Sequence, residues 1–231
     1  MVDKFAEQEI KESLGKTGGW KPGMLGAEEA NKEVRKLHRQ RKTDLVTGLS
    51  GEYPLHDMIE ALQNRWQKDY RKGVFLKGTF IIADLDGLHE VNHAYGKRDG
   101  GNFYLRAVGK AFVEVSRSVG ARCFRNGNQA DEFTMYLPGT VLRKEVEPVL
   151  DKIDSILKDT QNSIQTSYNG IRFSLSYSVA TFHRAYGPKE TFNDAENKMG
   201  EAKEPDQSGK RVGNVGRIFV NEVREESLRY E

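Results

Sequence analysis

Residues 79–92 read Thr79-Phe80-Ile81-Ile82-Ala83-Asp84-Leu85-Asp86-Gly87-Leu88-His89-Glu90-Val91-Asn92. The apolar, β-branched run from Thr79 to Leu85 predicts a buried strand, and it closes on two carboxylates. An acid at the end of a core strand costs free energy unless it is hydrated, hydrogen-bonded or bound to a cation. A second acidic pair, Asp131-Glu132, opens a later apolar run through Phe133, Met135 and Leu137. Period-two alternation puts Asp131 on the side of those three residues. If the first strand and this later one are neighbours at the centre of a sheet, Asp84 and Asp131 meet. Two carboxylates about 4 Å apart repel by roughly 4 kcal/mol at an effective dielectric of ~20, and a divalent cation reverses that sign. Oxygen-only donors select magnesium or manganese. The competing reading, on spacing alone, is two unrelated exposed turn aspartates.

Outward from this stretch, helices and strands alternate. Pro54 to Lys72 predicts a helix entered at a proline, with Leu55, Met58, Ile59, Leu62 and Trp66 on one side. Asn102 to Ser118 is helical, with Tyr104, Val108, Ala111, Phe112 and Val115 inward, and His89 and His93 share an earlier helix. Ala121–Arg125 and Phe133–Leu137 form a hairpin. Leu142 to Lys158 follows as a helix, Ile171 to Phe182 as a strand, Phe192 to Lys203 as a helix and Arg217 to Val220 as a final strand. Strand, helix, hairpin, helix, strand is the split βαβ order of a ferredoxin-like palm. That predicts an α+β fold with helices on one face of a mostly antiparallel sheet.

The chain divides into an N-terminal extension over 1–43, a domain over 44–222 and a charged tail over 223–231. Residues 27–42 predict a charged helix whose Ala27, Ala30, Val34 and Leu37 form a narrow stripe suited to a dimerising stalk. Lysine and arginine number 36 against 34 aspartates and glutamates, which gives no reason to expect nucleic acid as a partner. A single cysteine, Cys123, excludes an internal disulfide and reads as a buried structural thiol. No apolar run is long enough for a membrane span and no signal-peptide core opens the chain, so a cytoplasmic protein without a membrane partner is expected. Gly15-Lys16-Thr17 lacks the first glycine of a P-loop and reads as linker. His89 and His93 read as surface or nucleotide-edge histidines.

Five motifs, in order, carry a resemblance to one family. Asp44-Leu45-Val46-Thr47-Gly48-Leu49 resembles the DxLTGL opening of GGDEF domains, the diguanylate cyclases. Asp84 to Asn92, with Tyr95-Gly96, is similar to the family's DxDxFKxxN…G segment. Asp131-Glu132-Phe133 matches the last three letters of the name motif, Ser174 to Ala180 resembles its TVSIGVA strand, and Ala202-Lys203 its late AK. The resemblance implies that Asp84, Asp131 and the Leu85 carbonyl bind Mg2+ or Mn2+, and that Asp131 and Glu132 serve catalysis at a ribose 3′-hydroxyl. It implies that Asn92 reads the base, and that Gly87, Leu88, His89, Asp99, Lys203, Lys210 and Arg211 line the rest of a nucleotide site. The implied reaction condenses two GTP into cyclic di-GMP with release of pyrophosphate, across a head-to-head homodimer.

The chain also departs from the pattern. Gln129-Ala130 replaces the paired glycines, whose lack of Cβ lets a backbone approach a nucleotide. Asn126-Gly127 carries a hairpin-turn signal upstream of them. Gly101 stands where a second guanine-reading acid is expected, His89 replaces a phosphate-directed lysine, and Gly209-Lys210-Arg211 arrives late. Arg117 followed by Gly120 lacks the product-feedback motif. Two further readings therefore stand beside the cyclase. One is a degenerate module kept as a nucleotide receptor or protein-interaction platform, and the other is a related palm that takes another nucleoside triphosphate to a different product.

Overall fold

The predicted strand of residues 79–85 is realised as β1, Gly78–Asp86, and every residue of it except Asp84 is buried. A computed structural model describes residues 43–126, 131–163, 173–204 and 214–221. In chain order the remaining elements are α1 (Glu52–Tyr70, ahead of β1), α2 (Leu88–Tyr95), a π-helical turn (Gly96–Gly101), α3 (Asn102–Val119), β2 (Arg122–Arg125), β3 (Glu132–Pro138), α4 (Arg143–Ser163), β4 (Ser174–Phe182), α5 (Pro188–Lys203) and β5 (Arg217–Val220). The strands form one sheet in the order β2-β3-β1-β4-β5. β1 runs antiparallel to β3 and β4, β2 antiparallel to β3, and β5 parallel to β4. The result is an α+β fold with a mixed, mostly antiparallel sheet.

Alternation along β1 splits the core in two. Ile81, Ala83 and Leu85 join Phe133, Met135 and Leu137 of β3 in one cluster with Tyr104, Val108 and Phe112 of α3 and Leu150, Ile153 and Leu157 of α4. Phe80 and Ile82 face the other way, into a cluster with Leu55, Met58 and Ile59 of α1 and Phe192 and Ala195 of α5. Helices therefore cover both faces, which corrects the expectation of one. The chain order fixes the sheet, but α1 precedes β1 and was free to take the face that α3 and α4 leave open.

Helix beginnings also differ from the expected ones for local reasons. Pro54 sits in the first turn of α1 rather than at its first residue, still within the stretch whose N–H groups have no intrahelical acceptor. Pro188 opens α5, four residues ahead of Phe192. Trp66 packs against the second cluster, and its ring N–H donates to the His183 carbonyl at 3.0 Å. Burial pushes the Cys123 thiol up to about 12, which agrees with an inert structural cysteine. Among the described residues no helix is long and apolar enough to cross a membrane. The charged helix of 27–42, the Gln129-Ala130 pair, Lys210, Arg211 and the tail over 223–231 lie outside the described residues.

Candidate functional site

The centre of the sheet delivers its acids to one end. In the β1–β3 ladder Asp84 lies opposite Glu132, and the Leu85 N–H donates to the Asp131 carbonyl at 3.1 Å, so Asp131 stands one residue beyond the paired strand. Gly87 follows Asp86 at φ +74, a left-handed conformation that glycine adopts without a steric penalty, and it turns the chain straight into α2. That sharp exit ends β1 at Asp86 and leaves the Asp84 and Asp86 carboxyls at the lip of the sheet.

Lys203, the last residue of α5, reaches this lip. Its ammonium donates to the Asp84 carboxylate, and to Asp86 Oδ1 at 3.1 Å, and the three side chains are 19%, 14% and 7% exposed. Asp86 is held further by the Ser176 hydroxyl at 2.7 Å and the Ser174 hydroxyl at 3.1 Å, both donated from β4. Ser176 in turn accepts the Val215 N–H at 3.0 Å, tying the approach to β5 into the same cluster. Behind it the buried Tyr104 hydroxyl donates to the Ser174 carbonyl at 2.6 Å and accepts the Ser174 N–H at 2.8 Å.

One ammonium among four carboxyls leaves a negative excess, and the protonation behaviour reflects it. Burial pushes the Asp84 carboxyl up to about 6, Lys203 pulls it down, and the charges of Asp131 and Glu132 push it up again. Burial likewise raises Glu132, helped by Asp131, while Asn126 and Lys203 act the other way. Glu196 of α5 is raised to about 7, first by burial and then by Glu132 and Glu52. Asp84, Asp131 and Glu132 thus share one electrostatic neighbourhood.

The donors fit a hard divalent cation of the kind that completes its shell with phosphate and water. Among the described residues no three histidine, cysteine, aspartate or glutamate side chains converge into a ready cage. Magnesium is commonly held by one or two carboxylates plus substrate phosphates, so a sparse set of oxygens at a negative, partly buried lip suits it.

The remaining candidates lie along α2 and the π-helical turn. Leu88 is half-buried, His89 and His93 are exposed, and Asp99 is exposed within Gly96–Gly101. Asn92 is half-buried with its Oδ1 lacking a hydrogen-bond partner, and a Cβ at Gly101 would lie 2.0 Å from that oxygen. The Asn92 amide therefore occupies the space into which a side chain at position 101 would start.

Sequence reading brought Asp84, Asp131, Glu132 and Lys203 to this region. It passed over Asp86, Ser174 and Ser176. Strand parity held the signal for Asp86, which shares a face with Asp84 two residues earlier. Glu196 carried no such signal, since only the packing of α5 against the sheet brings it near Glu132.

The sequence profile described as "Diguanylate cyclase, GGDEF domain" matches residues 41–208. Three solved structures are similar over most of their length. The coiled coil and GGDEF domain of DgcB from Caulobacter crescentus, in complex with c-di-GMP, is 14% identical with a TM-score of 0.57, covering 93% of this chain and 98% of that one. The GGDEF domain of FimX from Pseudomonas aeruginosa is 18% identical with a TM-score of 0.55, covering 78% of this chain and 99% of that one. The diguanylate cyclase SiaD of Pseudomonas aeruginosa, in complex with its activator SiaC, is 21% identical with a TM-score of 0.53, covering 94% and 74%. No curated protein matches the chain.

Proposed function

The chain belongs to the GGDEF family of diguanylate cyclase domains, and from that membership we propose that it is a divergent diguanylate-cyclase-like nucleotidyltransferase that condenses two GTP into cyclic di-GMP. The observation that carries this reading is the under-neutralised acid cluster at the end of β1, with a lysine ammonium already drawn into it. Asp84, Asp131 and the Leu85 carbonyl would hold Mg2+ or Mn2+, which when bound would offset the charge of the triphosphate. Gly87 and Leu88, at the N-terminus of α2, turn backbone N–H groups toward phosphate. Glu132, whose affinity for a proton is raised by burial and by Asp131, accepts the proton of the attacking 3′-hydroxyl. A new P–O bond forms at the α-phosphorus of the second nucleotide and pyrophosphate leaves. Two protomers face each other, because each contributes one nucleotide.

Asn92 and Gly101 favour a second reading, in which the base differs from guanine. The position of the expected second acid has no carboxylate, and its space is taken by the Asn92 amide, which offers both a donor and an acceptor. The test is to incubate the protein with Mg2+ or Mn2+ and each nucleoside triphosphate, follow pyrophosphate, and weigh the products. GTP is expected to give pyrophosphate and a product with the mass of cyclic di-GMP, and Asp131→Ala is expected to abolish both. A folded protein that releases pyrophosphate from no triphosphate contradicts the enzymatic reading, and a different product mass supports the second one. Turnover that survives in Asp131→Ala breaks the assigned site.

A further inference from the structure

Lys203 sits where a cation is wanted. It bonds two carboxylates that lie 119 and 117 residues before it in the chain, and these partners differ in kind. Asp86 is fixed by two serine hydroxyls as well as by the lysine, whereas among the described residues Lys203 is the hydrogen-bonding partner of the Asp84 carboxylate. The ammonium therefore has an anchored acid to pivot on and an unanchored acid to release.

We propose that Lys203 is a tethered counterion which a divalent cation must displace from Asp84, so that the metal binds tightly only together with the triphosphate that receives the displaced ammonium. This rests on the metal and nucleotide reading above. Without nucleotide, a divalent ion approaching Asp84 meets a unit positive charge already bonded to that carboxylate, and the two cations repel more strongly than two unit charges would. The lysine cannot move into water without leaving Asp86 short of a charge partner in a site that is only 7% exposed. A triphosphate removes the conflict. Its oxygens offer the ammonium a new anionic partner within reach of the Asp86 pivot, and they complete the coordination of the ion at Asp84. Metal and nucleotide become thermodynamically coupled through one side chain, and each raises the affinity for the other by the same factor.

The experiment measures Mn2+ binding to the full chain by the loss of the free-ion paramagnetic resonance signal, with and without a GTP analogue whose α,β-bridge is a methylene. In the absence of nucleotide, Lys203→Met is expected to bind Mn2+ roughly tenfold more tightly than the unmodified protein, while Lys203→Arg, which keeps the tethered charge, stays weak. The analogue is expected to tighten Mn2+ binding by about tenfold or more in the unmodified protein and by clearly less in Lys203→Met. Equal or weaker nucleotide-free binding by a folded Lys203→Met, as judged by circular dichroism, overturns the proposal and leaves the metal reading intact. Mn2+ binding by none of the proteins, even with the analogue, overturns both. A measurement on the unmodified protein needs no variant: Mn2+ binding that the analogue tightens no further than the analogue alone accounts for overturns the displacement.

Discussion

Asp44 shows how a single residue holds the approach to the site in place. Its carboxylate accepts two bonds from the Arg125 guanidinium, at 3.0 and 3.1 Å, in a pair whose side chains are 10% and 3% exposed. It also accepts the Thr47 N–H at 2.8 Å and the Thr47 hydroxyl at 2.7 Å, closing the turn that opens the domain. Burial alone would raise the Asp44 carboxyl, but the Thr47 hydrogen bonds and the Arg125 charge outweigh it and hold the group below its ordinary value. Removing one partner of a buried pair takes from the other its close counter-charge, so Asp44→Ala is expected to cost about 3 kcal/mol of unfolding free energy at pH 7, measured by urea titration. The sign of the pH dependence follows from the lowered folded value. The contribution of Asp44 is fully present above the unfolded carboxyl value of about 4 and is lost as pH falls through the folded one. The gap between the two proteins is therefore expected to close in acid, and a gap that persists there contradicts the assignment.

Among the elements, α3 and this opening turn approach each other closely. A Cβ at Gly109 would lie 2.8 Å from the Thr47 Cβ and 3.1 Å from the Thr47 carbonyl oxygen, so the helix can pack this closely only because position 109 carries no side chain. Gly109→Ala has to push α3 away from the turn, and the expected cost is about 1–3 kcal/mol in spite of the better helix propensity of alanine. A variant as stable as the parent in thermal unfolding would show that the turn yields instead. These elements were legible to different degrees for physical reasons. β1, β3 and β4 announce themselves by short apolar runs, and α3 and α4 by their helical period, because each buries a face wide enough to imprint the sequence. The π-helical turn of Gly96–Gly101 has no buried stripe, and only the structure shows it. α4 runs on to Ser163 beyond the expected Lys158, because its last turn has no apolar residue to mark it.

For the whole molecule, the sheet order turns distant acids into one site. Asp84, Glu132 and Lys203 are scattered along the chain, and they meet because β3 and β4 flank β1 while α5 ends beside the lip. The acids were legible because charged residues at the ends of core strands stand out against apolar neighbours. Lys203 as their partner was not, since a lysine at the end of a surface helix looks like any other and was expected to face phosphate. In the proposed reading a divalent cation and a triphosphate bind together at this lip. Crystals of the protein grown with Mn2+ and the methylene-bridged GTP analogue, measured for anomalous scattering, test it most directly. An anomalous peak is expected within coordination distance of the Asp84 and Asp131 carboxylates and the nucleotide phosphates, about 2.0–2.3 Å from each oxygen. Ordered nucleotide with no peak there, or a peak at another surface with Lys203 still bonded to Asp84, would contradict it.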